Sequence, residues 1–189
     1  MENKKYLPLK IVHLIFMTLC LCFYVYSFFQ IENVYDNATD KIIAVFQAGT
    51  AILALISGFI YLVKGYKKNA AAYFKGYVWI ILIADMFAVI VGITEATSYF
   101  CKIVWAVSLI LLAVLAAGKD LGKIKSFTVA GLILLCKVIL LITVNTNHSI
   151  LGVAFVPVLL DMIAQIVRTI TTGFMVCGKY LDKTARGTK

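Results

Sequence analysis

Phe127 to Val144 reads FTVAGLILLCKVILLITV, a run in which a single charge, Lys137, stands among residues that are otherwise apolar or small. Its eighteen residues fall within the roughly 17 to 25 that carry a helix across a ~30 Å hydrocarbon layer. Each Leu, Ile, Val or Phe contributes about −0.3 to −0.6 kcal/mol to insertion, whereas one central Lys costs about 2.5 to 3.5 kcal/mol. The segment can therefore insert with its lysine aboard. A strand that faces lipid on one side alternates apolar and polar residues, and this run does not. It reads as a transmembrane helix.

Five further runs carry the same signal: about Ile11 to Phe29, Ile42 to Val63, Tyr77 to Ile93, Ile103 to Ala117 and Ile150 to Cys177. The composition agrees, with 62% hydrophobic and 14% charged residues and a mean hydropathy of +0.97, where soluble domains carry about 25% charged residues. The expected fold is an all-α integral membrane protein of six transmembrane helices forming one polytopic domain over 1–189. The first run follows Lys4, Lys5 and Lys10 as a signal peptide would. It is too long for a signal h-region and lacks a small-residue cleavage site, so it is expected to remain as a helix.

Orientation follows from the basic residues. All eighteen Lys and Arg except Lys41, Lys102, Lys137 and Arg168 fall in the amino-terminal segment, the second and fourth loops and the carboxy-terminal tail. By the positive-inside rule both termini are expected in the cytoplasm, with a bacterial plasma membrane as the expected location. The net charge of +9 is thereby explained by topology. Nucleic acid is not an expected partner, because no aromatic and basic platform accompanies these lysines; the lipid bilayer is.

The cysteines and histidines suggest neither metal nor cofactor. Cys20 and Cys22 lie two residues apart on a helix and point about 200° away from each other. His13 and His148 are expected at opposite faces of the membrane, which does not suit a haem. Asn37-Ala38-Thr39 and Asn147-His148-Ser149 match the glycosylation pattern and fall in outer turns, but short matches of this kind carry little information.

An internal repeat is more informative. Asp85 to Val91 (DMFAVIV) returns as Asp161 to Val167 (DMIAQIV). Lys10-Ile11-Val12 and Lys102-Ile103-Val104 open the first and fourth spans, and Ala48-Gly49 matches Ala130-Gly131 in the second and fifth. Helices 1 to 3 would then correspond to helices 4 to 6, over 1–97 and 98–189. Three helices per half give the inverted-topology repeat of many transporters. A competing similarity, Gly118 to Lys123 with Gly178 to Lys183, is read instead as helix ends capped by glycine and lysine.

Asp85, Lys137 and Asp161 each fall near the middle of a span, where an ionisable residue is expensive and marks a functional site by default. In the sixth span Asp161, Gln165, Arg168 and Thr172 are spaced i, i+4, i+7 and i+11, a single helical stripe. Gln47, Thr50, Ser57 and Tyr61 form a similar face in the second. Helices 2, 3, 5 and 6 are therefore expected to share a polar interior, with Lys137 as counter-ion and Arg168 about 10 Å along the helix from Asp161. The candidate binding residues are Asp85, Lys137, Asp161, Gln165, Arg168 and Gln47.

Three functions compete. A small transporter or substrate-binding membrane subunit would use these residues for a proton, a cation or a small charged solute, and an oligomeric channel is its near relative. An intramembrane aspartyl protease would need two acids in a context such as G-x-G-D, and neither Leu82 to Asp85 nor Val158 to Asp161 supplies it, so no catalytic residues are assigned. A non-catalytic membrane partner would use the charges as structural ion pairs within the chain, with further copies or with other subunits.

Overall fold

The computed structural model describes residues 7–30, 32, 36–66, 70–92, 99–117, 121–146 and 155–187. They form helices α1 (Leu7–Phe29), α2 (Ala38–Ile60), α3 (Ala70–Gly92), α4 (Tyr99–Ala117), α5 (Lys123–Thr146) and α6 (Phe155–Gly187), and α2 runs on into a π-helical turn over Tyr61–Gly65. No strand occurs among the described residues.

Each helix packs on its neighbours in sequence, and α6 packs back on α1, so the bundle closes into a ring. α3 and α6 also touch each other across it. Among the described residues five segments are long and apolar enough to cross a membrane: Leu7–Tyr26, Ala44–Gly65, Tyr99–Ala117, Lys123–Thr143 and Leu159–Tyr180. The outward surface suits lipid. Ile42, Ile103, Ile110 and Ile142 are all more than half exposed, whereas Asp85, Lys137, Gln165 and Arg168 are buried. That is the reverse of a water-soluble distribution.

The ends of the helices differ from the sequence reading in instructive ways. α3 begins at Ala70 rather than near Tyr77, and α6 passes Cys177 and continues to Gly187. Gly178 is therefore not a helix cap. It lies in mid-helix, where a Cβ would come within 2.6 Å of Tyr66 Cε1 and 2.8 Å of the Tyr61 hydroxyl. Glycine is there because two tyrosines occupy the space. Among the described residues the glycine with a left-handed backbone is Gly122, at φ 78°, which leads into α5 and accepts from the Ser126 amide at 3.1 Å. Gly118, the tripeptide at Asn147 and the start of the sixth span at Ile150 lie outside the described residues. Asn37 of the other tripeptide caps α2, its side-chain oxygen accepting from the Thr39 amide at 3.0 Å.

The π-helical turn explains how α2 meets α1 and α6. Residues five apart on an α-helix diverge by about 140°, yet the Tyr61 and Tyr66 rings meet edge to face at 5.0 Å because the turn is wider here. His13 of α1 stacks on Tyr61 and its Nδ1 lies 3.3 Å from the Tyr66 hydroxyl. Tyr61 donates to the Met175 carbonyl of α6 at 2.7 Å. One end of the bundle is thus bolted by α1, α2 and α6 together. At the same end Ser126 of α5 meets Tyr180 of α6 at 3.1 Å, and Lys179 lies over the Phe74 ring of α3.

Candidate functional site

Asp85 sits on the inner face of α3, between Ala84 and Leu82 in the buried lining of the helix. Both of its oxygens meet cations from other helices. Oδ2 is 2.7 Å from Lys137 Nζ of α5, and Oδ1 accepts from Arg168 Nη2 of α6. Lys137 also donates to Gln165 Oε1 at 2.8 Å. Gln165 Nε2 in turn donates to Asp161 Oδ2, one helical turn back along α6, at 2.8 Å. A continuous polar chain therefore runs Arg168, Asp85, Lys137, Gln165, Asp161.

Its chemistry fixes its own polarity. A lysine ammonium has only donors, so it must meet the oxygen of the Gln165 amide, and that leaves the NH₂ facing the Asp161 carboxylate. Two acids and two bases balance in charge. Such a set is stable at depth only while each member keeps its partners, since an isolated buried charge costs several kcal/mol.

The sequence-predicted residues Asp85, Lys137, Asp161, Gln165 and Arg168 are thus joined in one cluster, and Arg168 is a direct partner of Asp85 rather than an outlying extension. Its long side chain closes the distance that helical rise alone would leave. The two aspartates are not equivalent in their surroundings. Asp85 is almost fully buried between two cations, whereas Asp161 is half-buried and joined to Lys137 through the neutral Gln165 amide.

The described polar residues of α2 make bonds within their own helix and to α6. Thr50 and Ser57 donate to carbonyls of their own helix, Phe46 and Ala54, and Tyr61 is spent on Met175. The Gln47 side chain lies outside the described part of the structure. α1 also meets the cluster. The Arg168 guanidinium lies 5.9 Å from the centre of the Tyr24 ring, a cation–π contact, and Cys20 donates to the Ala164 carbonyl at 3.4 Å.

No family model, curated protein or solved structure matches this chain. Function must be argued from the cluster itself.

Tyr24, which meets the Arg168 guanidinium, was not apparent as a site residue in the sequence. For Tyr24 a signal existed: His13, Met17, Cys20 and Tyr24 are spaced at four, three and four residues, and all four are buried. They form the inward stripe of α1. Tyr77 of α3 is fully buried and lies two turns before Asp85, which places it on the same side of its helix. All five cysteines are free thiols. Among the described residues no group of three His, Cys, Asp or Glu is placed to hold a metal.

Proposed function

We propose that the chain crosses the bilayer six times, α3 included, with both termini in the cytoplasm. We infer that it acts as a small transporter, or as the substrate-binding membrane subunit of one, for a proton, a cation or another small charged solute. The observation that carries this reading is the join between the Asp85 ion-pair centre and Asp161 through Gln165. A proton or ion that changes the charge of Asp161 changes the strength of a charge-assisted hydrogen bond on Gln165. The same amide holds Lys137, and Lys137 holds α3 against α5. Occupancy at one carboxylate is thus coupled to helix contacts, as alternating access requires. The contact of α3 with α6, the third helix of each proposed half, suits a 3+3 inverted repeat.

A second reading is favoured by the double capture of Asp85. A carboxylate held by two cations is also what a purely structural ion-pair network would show. In that case the chain is a non-catalytic partner of other membrane proteins.

Flux in proteoliposomes separates the two. Imposed proton, sodium or chloride gradients should decay faster in vesicles holding the chain than in empty ones, and Asp161→Asn should remove most of that excess. If every gradient decays as in empty vesicles, or if Asp161→Asn carries full flux, the transport reading is lost and the structural one takes its place.

A further inference from the structure

At the lysine-bearing end of the bundle α3, α5 and α6 meet in one place. Lys179 of α6 is half-buried, and its Nζ lies 5.3 Å from the centre of the Phe74 ring of α3 and 5.3 Å from that of Tyr180. The Tyr180 hydroxyl lies 3.1 Å from Ser126 Oγ in the first turn of α5, and Ser126 is buried. Lys123 stands three residues before Ser126 and so shares its side of the helix, with its side chain exposed. Two lysines from different helices therefore flank one contact.

Topology asks for lysines in the turns, but it does not ask for these positions. α5 carries Lys123 and Lys125 in its first turn and no acid there, at the positive end of the helix dipole, where a cation works against its own helix. Lys179 is drawn over two rings, and an aromatic face attracts an ammonium without cancelling its charge. The stretches 118–126 and 175–187 hold six Lys and Arg against two acids, Asp120 and Asp182. With both acids paired, cations are still in excess. Lipid-facing surface begins beside them: Ile124, between Lys123 and Lys125, is 81% exposed, and Leu132 and Leu135 continue the outward face of α5.

We infer that Lys123 and Lys179 form a binding site for the phosphate of an anionic phospholipid in the leaflet at that end of the bundle, with an acyl chain along Ile124, Leu132 and Leu135. Basic sites between helices at the lysine-rich face of a membrane protein suit such headgroups. A free phosphate would meet the same cations but make no use of the apolar surface that starts beside them. Lysine ammoniums act here as point charges, and the contact should weaken as salt is added. The site is separate from the Asp85 cluster and needs neither reading of it.

The test uses the full chain in a neutral detergent, titrated with dioleoyl phosphatidylglycerol or with dioleoyl phosphatidylcholine, and binding is read by native mass spectrometry. Phosphatidylglycerol should bind more tightly, and Lys123→Gln and Lys179→Gln should each weaken it about fivefold, the scale of one lysine at a lipid surface. Lys64→Gln, at an exposed lysine of the π-helical turn, should leave it unchanged. Lys123 is exposed, so its variant should fold and decides the matter even if Lys179→Gln, which loses both ring contacts, does not. The inference is overturned if the two lipids bind alike or if Lys123→Gln binds phosphatidylglycerol as tightly as the original. It is overturned too if Lys64→Gln weakens binding as much as Lys123→Gln, the mark of a diffuse field of lysines, or if inorganic phosphate at the same concentration displaces the lipid, the mark of a site for a free anion. A chain that shows no flux in proteoliposomes yet passes this test would lose only the transport reading.

Discussion

Asp85 holds two cations, Lys137 at one carboxylate oxygen and Arg168 at the other. Replacing it strands both, and removing one partner of a buried ion pair costs about 3 to 5 kcal/mol. Asp85→Asn should therefore destabilise the bundle on that scale in denaturant titrations in bicelles. Lys137→Met alone should cost less, since Asp85 keeps Arg168. Combined with Asp85→Asn, it should recover a large part of the loss, because Arg168 and Asp161 then balance. An additive double variant would show that the Lys137 contact carries no energy. Asp161→Asn is milder, at about 1 to 2 kcal/mol, because an asparagine oxygen still accepts from Gln165.

α6 is the element on which the fold turns. It packs against α1, α3 and α5, and it brings Asp161, Gln165 and Arg168 to the centre on one stripe while Gly178 receives the tyrosines of the π-helical turn. That turn has its own close fit, since a Cβ at Gly65 would come within 2.7 Å of the Tyr61 ring. Gly178→Ala should cost about 1 to 3 kcal/mol by overpacking, measured by the same unfolding titration. Gly131→Ala is the matched control. It lies in α5 with nothing within 4 Å of its added Cβ, so alanine should be neutral or stabilise by up to about 1 kcal/mol through helix propensity. Equal effects at the two positions would show that the tyrosine contact is not tight.

For the whole molecule the arrangement of the ends is decisive. The start of α1, the turn after α2 and the far part of α6 share one end of the ring, and the starts of α3 and α5 join them there. These are the segments that carry most of the lysines. At the other end the exposed pair Lys41 and Glu32 meets at 2.6 Å, a contact worth little by itself. With the basic end in the cytoplasm, Asp36→Cys should react with a membrane-impermeant maleimide on intact cells, and Lys125→Cys only after permeabilisation. The reverse pattern would invert the proposed topology.

Continuous apolar runs determined the helical class from the sequence alone, because a backbone in hydrocarbon has to satisfy its own hydrogen bonds and a helix does so locally. The helical stripe of Asp161, Gln165, Arg168 and Thr172 was legible for the same reason, being a matter of spacing along one element. The choice of partners was not. Spacing along α6 could not show that Arg168 reaches Asp85 on α3, that Gln165 stands between Lys137 and Asp161, or that α1 rather than α2 brings a tyrosine to the guanidinium. Nor could it separate a capping glycine from one beneath two aromatic rings. Those are contacts between helices far apart in the chain, and they depend on how the ring closes. Three costly charges were written in the sequence, and only the tertiary structure decided which of them hold one another.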